Sequence, residues 1–244
     1  MRVDQQPAFV LHARAWRETS LLIEAITRDH GRVGLVARGV RTARSRFPRA
    51  TLQPLTPLNL SWSGRGELST LTGAEPAGAM LQTSGETLLC ALYLNELVTR
   101  LVPRNDPHPG VFDDYLETFT RLAQQHAPAW TLRRFERDLL AHLGYGLVLD
   151  GEAETGELID PSVDYAYRFE IGPVRWRRTE DGLKVRGSVL IALAADDPPA
   201  APEDMATLRR LMRALIGRHL DGGELRAWSL FNDAPSASRA NASP

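Results

Sequence analysis

Apolar positions change their period near residue 80 of this chain. Before it, the segments Ala8–Arg14, Ser20–Thr27, Arg32–Ala37, Leu52–Trp62 and Glu67–Thr72 are short and rich in Val, Ile, Leu and Thr. Turn signals such as Asp29-His30-Gly31 and Ser63-Gly64-Arg65-Gly66 separate them, which predicts strands and tight connections. Pro54 and Pro57 weaken the fourth strand unless it lies on an edge or carries a bulge. Five short strands in about eighty residues match the size of an OB-fold barrel. An SH3-like barrel fits the pattern almost as well.

After residue 80 the spacing is helical. Leu88, Leu89, Leu92, Tyr93, Leu97 and Leu101 share one predicted stripe over Glu86–Leu101. Asp106 before Pro107 reads as a helix start, giving a second helix over Pro107–His126 with Val111, Phe112, Tyr115, Leu116, Phe119 and Leu122 inward. A third helix follows Pro128, burying Leu132, Phe135, Leu139, Leu140 and Leu143, with Gly144 as its left-handed terminator. Residues 151–186 are acidic at first and then alternate at Tyr165, Tyr167, Phe169 and Ile171, which predicts a loop with a small hairpin. Ser188–Ala195 and Met205–Leu220 are helical in spacing, and residues 233–244 read as a disordered tail. The expected class is α+β, with a barrel domain over 1–80 and a mostly helical domain over 81–232.

Composition narrows the chemistry. The net charge of −1 conceals a basic first part, +5 over residues 1–80, and an acidic remainder, −6 over 81–244. One cysteine, Cys90, excludes an internal disulfide and any multi-cysteine zinc site, and its apolar neighbours make it a core residue. There is no run of eighteen apolar residues and no secretory signal pattern, so the expected location is the cytoplasm, in association with the nucleoid and without a membrane partner. The six histidines are scattered, and GxSxG, P-loop and GxGxxG motifs are absent, so no catalytic residue, metal or cofactor is expected and the chain does not read as an enzyme. A nuclease would need clustered carboxylates for metal ions, which the basic part lacks. Glu152, Glu154 and Glu157 form an acidic loop of the kind that is usually solvated.

The strongest signal is a stretch without acids. Between Asp29 and Glu67 lie Arg32, Arg38, Arg41, Arg44, Arg46, Arg49 and Arg65 and no carboxylate. Guanidinium groups offer phosphate a planar fork of donors and keep their charge at any working pH. Phe47 and Trp62 are candidates for stacking on bases, although a strand tryptophan is more often core. These residues point to single-stranded DNA, with duplex DNA also able to bind because phosphates dominate affinity. In the third helix, Arg133, Arg134 and Arg137 surround an apolar stripe and suit an acidic peptide ending in apolar residues. The same spacing equally suits salt bridges to Glu136 and Asp138.

Ordered motifs then resemble the bacterial RecO family: Phe9–Arg14, Glu18–Leu22, Thr27–Val33, Val36–Arg41, Leu52–Leu58, Ser63–Leu68, Leu92–Leu97, Leu132–Glu136 and Leu143–Leu147. The likeness is close over 8–150 and looser beyond, including Arg226–Phe231. It implies an OB-fold followed by a helical domain, and single-stranded DNA binding with strand annealing. It also implies loading of the RecA recombinase, with RecR, onto strands coated by single-stranded-DNA-binding protein. The helical domain of the family accepts the acidic tail of that coating protein, and Arg133 and Arg134 occupy the matching motif. Many members carry a zinc module after the Gly-Tyr-Gly motif; here Glu152 and Thr155 stand where its first cysteine pair falls, implying a degenerate, metal-free version between Gly151 and Arg186. The rival expectation is a protein adaptor whose basic loop meets acidic protein tails and no DNA.

Overall fold

Strand β1 (Arg2–Trp16) is long enough to pair with two partners, β2 (Ser20–Thr27) on one side and β4 (Pro57–Ser63) on the other. Together with β3 (Gly31–Ala37) and β5 (Leu68–Pro76) they close a five-stranded barrel of order β1-β2-β3-β5-β4, antiparallel except for the β3–β5 pair. The computed structural model describes residues 1–42, 47, 50–64, 66–78, 84–178, 182–220 and 223–233. The fourth strand starts at Pro57, five residues later than the sequence suggests, because a proline has no N–H for the ladder and is tolerated at a strand's first position.

The two faces of β1 are buried in different cores. Ala8 and Val10 pack inside the barrel with Ile23, Leu35, Leu60 and Trp62. Phe9 and Leu11 point the other way, into the helical domain. The Phe9 ring lies 5.3 Å edge-on from Tyr115 and 5.7 Å from Phe112. Consecutive apolar residues at 8–11 are therefore the mark of a strand buried on both sides. Asn95 adds a polar tie, donating to the Leu11 carbonyl at 3.1 Å while its own amide oxygen accepts from the Tyr115 hydroxyl.

The helical domain begins with α1 (Gly85–Leu101), α2 (Pro109–Ala123) and α3 (Pro128–His142). The buried face of α1 is Cys90, Ala91, Tyr93, Leu94, Leu97 and Val98, while Leu88 and Leu92 remain 39% and 42% exposed. The expected stripe is thus rotated, since α1 is packed on several sides at once, by the barrel strand, by the other helices and by the C-terminal helix. Helix α2 starts at Pro109 rather than Pro107: Asp106 is used to hydrogen-bond the His108 ring at 3.0 Å, and His108 precedes the first turn. Gly144, at φ +86°, provides the expected left-handed stop after α3.

The hairpin expected in the 151–186 region is formed by β6 (Asp164–Arg168) and β7 (Gly172–Arg175), and β8 (Leu183–Arg186) pairs with the other edge of β6 to give a three-stranded sheet of order β7-β6-β8. Tyr165 and Tyr167 are buried as their alternation requires, but the strand ends at Arg168, so Ile171 is 54% exposed. Helices α4 (Gly187–Ala195), α5 (Pro202–Arg218) and α6 (Arg226–Asp233) complete the chain, and α6 was not anticipated. Residues 234–244, expected as a tail, lie outside the described residues. Among the described residues no helix is long and apolar enough to cross a membrane.

Candidate nucleic-acid and partner interfaces

The barrel arginines divide into two populations. Arg32 points toward the helical domain, where its guanidinium meets Glu24 at 2.9 Å and the Val102 carbonyl at 2.7 Å. Arg104 shares the same Glu24 carboxylate, contacting both of its oxygens. Burial, partly offset by Glu24, pulls the Arg32 pKa below its ordinary value. At this junction Gly31 holds φ +65°, and a Cβ there would stand 2.0 Å from the Asp106 carbonyl oxygen, so only glycine fits. Arg32 therefore joins two domains instead of facing solvent.

The second population is exposed. Arg38 follows β3, and Arg41 sits in the next turn, donating its backbone N–H to Thr19 O at 3.0 Å. Arg14 and Arg17 flank the end of β1 and are exposed as well; the sequence reading passed over them, although both adjoin Trp16. Arg14, Arg17, Arg38 and Arg41 form no ion pair among the described residues. Arg44, Arg46, Arg49 and Arg65 lie outside the described residues. Phe47, expected as a stacking platform, is 7% exposed and packs in the barrel core. Trp62 is also interior, its ring 5.3 Å from His30.

The three arginines of α3 separate in the same way. Arg134 faces Glu117 at 3.1 Å and Asp196 at 2.5 Å, and Arg137 faces Asp138 at 2.7 Å and the Leu193 carbonyl at 2.6 Å. Both are occupied in holding α2, α3 and α4 together. Arg133 turns inward to a pocket between α1, α3, α5 and α6, with a cavity of about 100 Å³. Its side chain is only 7% exposed and is paired with Glu136, which also accepts the Tyr93 hydroxyl at 2.6 Å. Burial opposes the Arg133 charge, but Glu136 and its other neighbours together outweigh it and hold the pKa up. Burial, with Glu136 beside it, pushes the Tyr93 phenol well above its ordinary range, so it stays a donor. Arg133 Nε and Glu136 Oε2 remain buried without a hydrogen-bond partner.

Apolar walls and further arginines surround that pair. Leu132, Trp228 and Phe231 line the pocket, and Tyr93 meets Phe231 edge-on at 5.9 Å. Arg213 lies over the Trp228 ring at 4.8 Å and donates to the Trp228 carbonyl at 3.2 Å. Arg209 stands one turn earlier on α5, also lining the pocket. The sequence carried a signal for both, an i, i+4 arginine pair beside the apolar row Leu208, Leu211, Met212 and Leu215. Helix α6 reaches this position because Glu96 of α1 accepts the N–H groups of Arg226 and Ala227, both at 2.8 Å. A carboxylate at a helix N-terminus satisfies orphan donors and opposes the dipole.

The residues of the loop before β6 do not fit a zinc ion. The Thr155 hydroxyl donates to Glu152, as does the Glu154 N–H at 3.3 Å, so the carboxylate is already engaged. The Thr155 bond chiefly holds the Glu152 carboxyl below its usual range. Among the described residues no three or more His, Cys, Asp or Glu side chains converge as a metal site.

A closed five-stranded barrel carrying arginines that form no ion pair among the described residues, followed by a helical domain with a cationic aromatic pocket, defines a two-part protein built on an OB-type module. Residues 1–80 match the family model described as Recombination protein O N terminal, and residues 82–229 match Recombination protein O C terminal. The chain is 48% identical over 235 residues to the DNA repair protein RecO of Nitrosococcus oceani, covering 96% of this chain and 94% of that protein. It is 46% identical to the RecO of Stenotrophomonas maltophilia, covering 95% and 97% of the two chains, and 44% identical to that of Xanthomonas oryzae pv. oryzae, covering 96% and 98%. The chain belongs to the RecO family, and its role lies in DNA repair and recombination.

Proposed function

We propose that this chain is a recombination mediator that works by holding, without bond-breaking chemistry. The barrel holds phosphates of single-stranded DNA through Arg38 and Arg41, with Arg44, Arg46, Arg49 and Arg65 continuing the same acid-free stretch. The helical domain takes the acidic tail of the coating protein in the pocket around Arg133, with Arg209 and Arg213 at its edge. Holding both partners on one body raises the local concentration of each for the other. The strand then passes to RecA with RecR, or pairs with a complementary strand because neutralised phosphates repel less. The observation that carries this reading is the pocket itself. Its aromatic walls suit an apolar C-terminal side chain, while the surrounding guanidinium groups suit carboxylates.

Two measurements test the two halves. A labelled single-stranded oligonucleotide is titrated across a salt series, with wild type beside a variant in which Arg41, Arg44, Arg46 and Arg49 are all changed to Ala. Neutralising about five phosphates gives a log–log slope near −3.5 for a single strand. A weaker, shallower response in the variant supports the barrel site, while no binding by wild type favours a protein adaptor. A peptide with an acidic run and an aromatic end is then titrated against R209A and R213A. Each is expected to lower affinity by roughly 10-fold, as loss of a charge-assisted bond does, and an unchanged affinity moves the partner site elsewhere.

A further inference from the structure

The hairpin joining β1 and β2 has its last paired residues at Trp16 and Ser20. Arg17 follows at φ +51°, a left-handed conformation uncommon for a residue with a side chain, within the turn that reverses the chain between β1 and β2. Beside this turn lies an open cleft of about 680 Å³, lined by Trp16, Arg17, Thr19, Val36, Arg38 and Leu68. That volume falls within the roughly 300–1,000 Å³ of sites that hold small molecules. The Trp16 ring is partly exposed and meets no other aromatic ring among the described residues. Its apolar companions are Val36 and Leu68, the latter 40% exposed on the outside of β5.

Charge surrounds these apolar walls. Arg17 and Arg38 stand at the rim without ion-pair partners among the described residues. Arg41 reaches the Arg17 carbonyl at 3.4 Å, tying the arginine-rich connection to the same turn. Arg14, two residues before Trp16 on one strand, shares its face. Glu18 is the acid in this turn, set against four guanidinium groups. Trp62, Trp130 and Trp228 are buried, whereas Trp16 and Trp176 are partly exposed, and of those two it is Trp16 that lies on the barrel.

We propose that Trp16 stacks on an unpaired nucleobase, so that this cleft reads whether a strand is single. It rests on the nucleic-acid reading of the barrel and adds a division of labour to it. Phosphates meet Arg17, Arg38 and their neighbours in any nucleic acid. An indole can accept only a base that is not already stacked inside a duplex, and stacking tolerates any base because each has a π-face. The arginines therefore set affinity, and Trp16 sets preference for single strands over duplexes.

The test uses the full chain with three labelled ligands of equal length: a thymidine strand, a duplex, and a strand of abasic sites that keeps the phosphates. W16A is expected to bind the thymidine strand about 5- to 100-fold more weakly, the range for losing one stacked base, and the other two as wild type does. W16F, which keeps a ring, retains most of the affinity, and it loses the quenching of tryptophan emission that wild type shows on binding. R17A with R38A weakens all three ligands. Equal losses by W16A on all three, or no loss, overturn the stacking role while leaving the barrel as the DNA site. If W16A does not fold, unchanged quenching in W16F overturns it alone. If wild type binds none of the three ligands, the nucleic-acid reading of the barrel falls first.

Discussion

Cys90, Arg32 and His219 show how burial rewrites the chemistry of a side chain. Cys90 lines the pocket around Arg133, yet burial, reinforced by Glu86, pushes its thiol up to about 12. The thiolate is the nucleophile, so alkylation of the native protein at pH 8 is expected to be negligible and to become rapid on unfolding, as mass spectrometry reads directly. Arg32, expected as a phosphate contact, holds a buried carboxylate shared with Arg104. Arg32→Ala is expected to lower stability in a urea melt by roughly 1.5–3 kcal/mol, the range for a hydrogen bond to a charged group. His219 lies between Tyr145 at 4.0 Å and Phe169 at 5.3 Å, and burial lowers its pKa despite Glu170 nearby. A depressed histidine pKa means that the unfolded chain takes up protons first as pH falls. Stability from this cluster is thus complete above the ordinary histidine value of 6.5 and declines as pH falls through it toward the folded pKa. His219→Phe is expected to flatten that decline in melts recorded between pH 7.5 and about 5.

Among the elements, regular periodicity was legible and boundary conditions were not. The five barrel strands follow from alternation and turn residues, and α3 with its Gly144 stop follows from a 3.6-residue spacing. The buried face of α1 did not follow, because three neighbours claim different sides of it and no single stripe describes that burial. Helix α6 is short and polar enough to look like a loose end. It is held by a carboxylate 130 positions away in sequence, and no local pattern encodes such a partner. Of the candidate site, the arginine count was legible, but the direction of each was not: neighbours Arg133 and Arg134 meet different partners, Glu136 on their own helix and Glu117 on α2. Glu96→Ala leaves two N–H groups without their acceptor, a loss of about 1 kcal/mol by analogy with other N-caps. It is expected to weaken the acidic peptide measurably while the affinity for oligonucleotides stays at the wild-type value.

At the scale of the whole molecule, β1 decides how the two domains behave. One of its faces fills the barrel and the other fills the helical core, so neither core is complete without it. Phe9→Ala is expected to cost about 3–5 kcal/mol, as for other large buried rings. Barrel and helices should still melt together, with tryptophan emission and helical circular dichroism giving coincident transitions. Two separate transitions would mean that β1 does not couple the cores. A peptide segment shared in this way also keeps the cleft at Trp16 and the pocket at Arg133 a constant distance apart, unlike sites joined by a flexible linker.

The pocket around Arg133 has its own history during synthesis. Its inner walls come from residues 86–136, but the rings that close it, Trp228 and Phe231, are added roughly ninety residues later in translation. Domains fold from the N-terminus as they leave the ribosome. A nascent chain paused before residue 226 therefore displays its arginine-rich barrel, minus the closed pocket, and under the proposed function its grip on phosphate would arise before its recognition of a partner.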